Sequence, residues 1–139
     1  MFGDSCTENL FGENCHNNTF GDNCSRNTFR ETCFYNTFGP NCSDNTFGAN
    51  CESNMFGDSC SENTFGDYCI ANTFGYNCWT NSFGEECGIN TFMNSCRSNT
   101  FGDYCESNMF GDSCHHIIFG TGTTPINYVR YIQVENGVA

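Results

Sequence analysis

Two apolar positions recur every nine residues along most of the chain. Phenylalanine occupies one, from Phe2 to Phe119, and cysteine the other, from Cys6 to Cys114, without a break in the spacing. This pattern fits neither the 3.6-residue period of an amphipathic helix nor the simple alternation of a half-buried strand. A fixed period is typical of repeat architectures. We therefore predict an all-β parallel β-solenoid in which equivalent residues stack from coil to coil.

The repeating unit reads Asn-x-Phe-Gly-x-x-Cys-x-x. We number it from its phenylalanine, so that glycine is position 2, cysteine position 5 and asparagine position 8. Residues that stack in successive coils are called a column. Because phenylalanine and cysteine supply most of the apolar content, their columns are predicted to fill the interior. The predicted core comprises Phe11, Phe20, Phe29, Phe38, Phe47, Phe56, Phe65, Phe74, Phe83, Phe92, Phe101, Phe110, Cys15, Cys24, Cys33, Cys42, Cys51, Cys60, Cys69, Cys78, Cys87, Cys96 and Cys105.

The variable residues at position 7 indicate how many units make one coil. A coil of two units places all formal charge at this position in one of two columns, whereas a coil of three units mixes charged and uncharged residues. We therefore predict two units, or about 18 residues, per coil. The first column reads Glu8, Arg26, Asp44, Glu62, Thr80, Ser98 and His116, and the second reads Asn17, Tyr35, Ser53, Ala71, Ile89 and Ser107.

Two other positions have predicted structural roles. Glycine follows phenylalanine in 12 of 14 units and suits a bend or a positive φ, although Arg30 and Met93 replace it. Asparagine occupies position 8 from Asn9 to Asn108 without a gap, which predicts a ladder of stacked side-chain amides.

The unit decays after Cys114. We expect the solenoid to span residues 1–120, followed by a segment at 121–139 that caps it or begins a further coil. Within this segment, the alternation of apolar and polar residues at 126–134 predicts a strand, and the sequence Glu-Asn-Gly at 135–137 predicts a turn. The first units contain no capping sequence, and an open solenoid end is an unpaired strand edge, so we expect a homo-oligomer or a longer parent chain.

The surface is strongly acidic. The chain carries 16 acidic and four basic side chains, with a formal net charge of −12. This balance argues against direct binding to nucleic acid, which requires cationic side chains. No apolar run is long enough to span a bilayer, so no membrane insertion is expected.

The 13 cysteines are interpreted mainly as reduced thiols that act as small buried apolar groups. Disulfides between successive coils are an alternative, but each would need a specific dihedral angle. Metal or cluster ligation is a further alternative with less support, because the constant spacing contains no Cys-x-x-Cys pair.

Candidate chemistry is sparse. His115 and His116 are adjacent, but no third ligand or nucleophile is spaced to join them, and the acidic residues follow surface columns. We therefore expect no enzyme activity, no cofactor and no resident metal.

Calcium bound between stacked carboxylates, such as those of Asp4 and Asp22, is the more specific alternative, because like charges one coil apart repel one another unless a cation lies between them. Rows of threonine before phenylalanine resemble ice-binding solenoids, and an acidic rod could also mimic DNA.

The run Asn-Thr-Phe-Gly-x-x-Cys through residues 1–120, with the tail at 131–138, resembles nonapeptide-repeat segments in tail-fibre-like, baseplate-associated or surface proteins of tailed phages and gut bacteria. This resemblance implies a structural shaft or spacer, on a virion tail or a bacterial cell surface. The alternative function is a binding module whose exposed columns contact a cell-surface receptor or glycan. The candidate contact aromatics are Tyr68, Tyr76, Trp79 and Tyr104.

Overall fold

The computed structural model describes residues 1–123 and the strand at 133–136, and in this part of the chain it is a parallel β-solenoid. Each unit contributes one two-residue strand, formed by positions 9 and 1, until the longer strand β13. The strands are β1 (Leu10–Phe11), β2 (Thr19–Phe20), β3 (Thr28–Phe29), β4 (Thr37–Phe38), β5 (Thr46–Phe47), β6 (Met55–Phe56), β7 (Thr64–Phe65), β8 (Thr73–Phe74), β9 (Ser82–Phe83), β10 (Thr91–Phe92), β11 (Thr100–Phe101), β12 (Met109–Phe110), β13 (His115–Phe119) and β14 (Gln133–Asn136).

Alternate strands form two parallel sheets, which confirms the predicted coil of two units. The odd-numbered strands and β14 form an eight-stranded sheet, and the even-numbered strands from β2 to β12 form a six-stranded sheet. Equivalent residues two units apart are in register, as in the pairs Phe47↔Phe65 and Phe56↔Phe74. We call the unit that begins at Phe2, and those in register with it, the first half-coil. The unit that begins at Phe11, with its equivalents, is the second half-coil.

The phenylalanine rings form the centre of the solenoid. Within a column they stack nearly parallel, as Phe47 and Phe65 do with centroids 4.8 Å apart. Between the two columns they meet edge to face, as Phe56 and Phe65 do at 5.6 Å and 82°. Both arrangements suit the aromatic quadrupole and add to the free energy gained by burial.

Burial begins with the second coil. The core phenylalanines and cysteines from Phe20 onward are buried, whereas Phe11 and Cys15 are only partly buried. These two belong to the first coil, which has another coil on one side only. A column buries its side chains by stacking, so a position at its end stays partly accessible.

The corners of each coil lie at positions 4 and 7, where φ is between 53° and 65° in every unit from Ser5 to His116. Position 2 is not a corner, so the predicted positive φ for its glycines is wrong. Gly122, which occupies position 4, is the glycine with positive φ among the described residues. Most corner residues carry a side chain, and asparagine is frequent because its short polar side chain tolerates the left-handed region better than most others.

Close approach between coils explains the glycines at position 2. A Cβ added to Gly66 would lie 2.9 Å from both Ala49 N and Gly48 C of the preceding coil. At Gly12, where no coil precedes, an added Cβ would meet no atom within 4 Å. The glycine column therefore permits coils to stack at strand spacing.

The chain after the solenoid pairs with the last coil. Strand β14 lies parallel to β13, with His115 opposite Gln133 and Phe119 opposite Asn136, and a register shift between His115 and Ile117. The turn predicted at 135–137 is therefore wrong at residues 135 and 136, which belong to β14. Most of the strand predicted at 126–134 lies outside the described residues.

Candidate functional site

The interior asparagines satisfy backbone groups of neighbouring coils. Asn63 Oδ1 accepts hydrogen bonds from the backbone N and Nδ2 of Asn45, at 3.1 and 3.0 Å. Asn63 Nδ2 donates in turn to Asn81 Oδ1 at 3.1 Å and to Cys42 O at 3.2 Å. The same pattern runs along both position-8 columns, which confirms the predicted ladder. Ile117 occupies the next place above Asn99 and ends the ladder of the first half-coil.

The cysteine thiols also bond to the backbone. Cys69 Sγ donates to Gly48 O of the preceding coil at 3.3 Å, and Cys87 Sγ accepts from Cys69 N at 3.3 Å. At the top of this column Thr123 takes the place of cysteine, and its Oγ1 accepts from Cys105 N at 3.0 Å. All 13 cysteines are free thiols in this structure. Position 5 therefore requires a small side chain that can both donate and accept a hydrogen bond.

Desolvation favours the neutral form of the buried thiols. Burial raises the pKa of Cys24 to about 11 and that of Cys33 to about 12. Deeper in the column, hydrogen bonds with Cys42 and Cys78 are the main cause of the raised pKa of Cys60, and the hydrogen bond with Cys60 lowers the pKa of Cys78. Because a thiolate at Cys78 would be fully buried against apolar rings, desolvation favours the neutral thiol there as well. A neutral thiol is neither a nucleophile nor a metal ligand.

The acidic residues at position 3 have a structural role that the sequence did not predict. Asp58 Oδ1 accepts from Tyr76 N at 2.9 Å, and Asp67 Oδ1 accepts from Glu85 N at 2.9 Å. Where an aspartate or Asn94 lies one coil below, the backbone amide at position 3 thus bonds to that side chain rather than to a carbonyl. Proline, which has no N–H, is consequently tolerated at Pro40.

The candidate contact aromatics lie in different half-coils. Tyr76 and Trp79 belong to the first half-coil, where Arg97 Cζ lies 5.8 Å from the centre of the Trp79 ring. Tyr68 and Tyr104 belong to the second half-coil and share one column, with Glu86 between them. Tyr68 OH donates to Glu86 Oε1 at 3.3 Å, and the charge of Glu86 raises the pKa of Tyr68. The three tyrosines are exposed and Trp79 is partly buried.

Beside Glu86 and Tyr104, the second half-coil carries an open groove of about 590 Å³. We call it the Gly88 groove, because Gly88 lies between Ile70 and Glu106 in the position-6 column and leaves a gap one side chain deep. A Cβ at Gly88 would lie 2.8 Å from Glu106 O, so a larger residue would require the backbone to shift. The groove is lined by Ile70, Glu86, Gly88, Ile89, Tyr104, Glu106 and Ser107.

The backbone also changes at this groove. Lower in the same column, Phe34 N and Glu52 N donate to Cys15 O and Cys33 O at 3.1 and 3.2 Å. The corresponding N–H groups of Ile70, Gly88 and Glu106 have no backbone acceptor among the described residues. The equivalent column of the first half-coil keeps its bridges up to His115. The backbone ladder of position 6 is therefore interrupted in the second half-coil from Ile70 to Glu106.

The remaining candidate chemistry does not assemble into a site. In the described coils, no three His, Cys, Asp or Glu side chains form a group that could hold a metal ion. His115 and His116 lie with ring centroids 5.0 Å apart, and His115 Nδ1 bonds to Ser113 O at 3.1 Å.

Comparisons with family models, curated proteins and solved structures give no match. The class of this protein is therefore defined by its fold alone: it is a parallel β-solenoid with two nonapeptide units in each coil. The part of the chain that the structure describes contains no candidate membrane-spanning helix.

Proposed function

We propose that this β-solenoid is a rigid structural segment, which spaces or presents other modules in a phage tail-fibre-like, baseplate-like or cell-surface assembly. The supporting observation is the use of the repeated side chains. The rings, thiols and amides at positions 1, 5 and 8 all stack or hydrogen-bond between coils. Because the repeated residues of each unit serve only to stack it on its neighbours, units can be added or removed without changing the fold. The number of units then determines the length of the solenoid, as a spacer requires.

The chain offers a clean test of this role. Residues 51–60 and 105–114 are identical, so deleting 57–110 removes three coils and leaves an unaltered junction. We expect the deletion to shorten the rod by roughly 14 Å, at about 4.8 Å per coil. In the parent assembly, flanking modules should remain active while their separation decreases, as measured by electron microscopy. An unchanged separation would contradict the spacer role.

A binding module is the second candidate, supported by the exposure of Tyr76 and its proximity in the chain to Trp79. Here a cell-surface receptor or glycan would contact these aromatics. Trp79→Ala should then abolish adsorption without lowering the melting temperature. A pure spacer should adsorb normally with this substitution, provided that its flanking modules are intact.

A further inference from the structure

We propose that the first two thiols of each cysteine column form a two-coordinate site for a soft monovalent cation, Cu(I). The two pairs are Cys6 with Cys24, and Cys15 with Cys33, and each pair joins the first coil to the second. The inference goes beyond the spacer role and does not depend on it, because the repeated contacts between coils need no metal.

The two sulfur atoms of the first pair converge on one backbone oxygen. Cys6 Sγ donates to Gly3 O at 3.1 Å, and Cys24 Sγ donates to the same atom at 3.5 Å. The thiol of Cys6 is also a hydrogen-bonding partner of the Cys24 thiol. In the other column, the thiols of Cys15 and Cys33 are hydrogen-bonding partners in the same way. Each pair therefore presents two adjacent sulfur atoms.

The spacing of the coils suits a metal between the sulfur atoms better than a disulfide. Phe2 and Phe20 stack with centroids 4.7 Å apart, which measures the rise from the first coil to the second. Two metal–sulfur bonds of about 2.3 Å, placed on opposite sides of an ion, span about 4.6 Å. The sulfur atoms of a disulfide are only about 2.05 Å apart, so both side chains would have to move together to form one. Linear coordination therefore matches the stacking of the thiols.

The donor atoms identify the class of ion. Within the coils that the structure describes, no three His, Cys, Asp or Glu side chains are grouped to hold a metal, so each pair offers two sulfur ligands and no third side chain of these types. Zinc prefers four ligands in tetrahedral geometry, and calcium requires six or more oxygen ligands. Soft thiolate ligands select Cu(I), which accepts two ligands. A pair of thiols therefore favours Cu(I) over these divalent ions.

Binding replaces the two thiol protons of a pair. One Cu(I) ion forms two copper–sulfur bonds, two S–H bonds break and two protons pass to water, while no electron is transferred. The product carries one negative charge, which water solvates because Cys6 and Cys15 are only partly buried. The thiols from Cys24 to Cys114 are fully buried, and a charged complex between two of them would lose its hydration. The proposal is therefore confined to the first pair of each column.

The test uses the reduced full chain under anaerobic conditions, with Cu(I) supplied as its bicinchoninate complex. We expect two equivalents of Cu(I) to pass to the protein, and X-ray absorption to show two sulfur neighbours for each ion. Between pH 6 and 7, binding corrected for protonation of the chelator should strengthen about 100-fold, because two protons leave for each ion. No transfer of copper, nitrogen or oxygen neighbours, or a dependence of tenfold or less would overturn the proposal.

Serine variants locate the two ions, since Thr123 shows that a hydroxyl group fits position 5. Cys6→Ser should remove one equivalent of Cu(I) and leave the other, and Cys15→Ser should do the same in the second column. Cys60→Ser is the matched control, because Cys60 lies deep in the same column as Cys6, and it should keep both equivalents. Loss of an equivalent in Cys60→Ser, or two equivalents in a variant that combines Cys6→Ser with Cys15→Ser, would overturn the assignment. Melting temperatures under reducing conditions verify folding.

Discussion

Asn45 donates from both its backbone N and its Nδ2 to a single acceptor, the Oδ1 atom of Asn63 in the next coil. Both residues are fully buried. The side-chain amide thus takes over the backbone hydrogen bond that a regular sheet would make at this position. Any residue without an amide leaves several buried polar groups unpaired.

Asn63→Ala is therefore expected to destabilise the protein by about 3 kcal/mol or more, since each orphaned buried group costs about 1–3 kcal/mol. The measurement is guanidinium-induced unfolding under reducing conditions. Thr64→Ser is the control, because Thr64 is exposed and Ser82 occupies the same column. Equal midpoints for the two variants would contradict the role assigned to the ladder.

The glycines of position 2 can be tested by one pair of substitutions. Gly66→Ala places a methyl group against the backbone at Ala49, so we expect it to lower the unfolding free energy by about 1–3 kcal/mol. Gly12→Ala meets open space and should be neutral or stabilising by up to about 1 kcal/mol. If both substitutions had the same effect, close packing would not explain the glycine column.

Phe65 lies in the middle of its column, with stacked rings on both sides. Phe65→Ala removes these contacts and leaves a cavity, which should cost about 3–5 kcal/mol. Leu10→Ala is the comparison, because Leu10 is 67% exposed and should lose little. Thermal unfolding of Phe65→Ala at the wild-type temperature would exclude an inward orientation.

Stability should fall at alkaline pH because of the buried thiols. The pKa values of Cys24 and Cys33 are about 11 and 12 in the fold, above the ordinary value of 9.0. The unfolded chain therefore loses these protons first as pH rises. The contribution is fully present below pH 9 and is lost between pH 9 and about 12. Unfolding free energies measured at pH 8, 9, 10 and 11 with reductant should show this decline.

A double variant, Cys24→Ser with Cys33→Ser, tests the assignment to thiols. Serine does not ionise in this range, so the decline above pH 9 should become shallower than in the wild type. An identical slope would show that other groups cause the alkaline loss.

Ile89 holds a left-handed backbone with φ of 59° although it is β-branched. Such a residue is strained there by about 1–2 kcal/mol, and asparagine is much better tolerated. Ile89→Asn should therefore raise the unfolding free energy by about 1 kcal/mol. Ile118→Asn is the control, since Ile118 lies on strand β13 and gains no such relief. A loss of stability with Ile89→Asn would mean that the packing of Ile89 outweighs its strain.

The sequence predicts the coil well because the period of nine determines which residues stack. The charges at position 7 distinguish a coil of two units from one of three, and the register Phe47↔Phe65 agrees with that choice. The asparagine ladder was predictable for the same reason, since an unbroken polar column in an apolar interior must bond to itself.

Other features depend on distances that a pattern does not contain. Glycine at position 2 is compatible with both a bend and a close approach, and the distance from Gly66 to Ala49 decides between them. The frequent asparagine and serine at position 4 were a usable signal for the left-handed corners. The Gly88 groove was not predictable, because one glycine in a variable column does not reveal how the neighbouring side chains of Ile70 and Glu106 are placed.

The asparagine ladder also gives the rod an electrical direction. Every ladder bond runs from Nδ2 of one coil to Oδ1 of the coil after it, as from Asn9 to Asn27 and from Asn90 to Asn108. Backbone hydrogen bonds run both ways along the axis, as those donated by Gly66 and Tyr68 do, and largely cancel. The side-chain amide dipoles all add, much as peptide dipoles add in a helix. The two ends of the solenoid therefore differ in polarity, and this difference favours head-to-tail over head-to-head stacking of such rods.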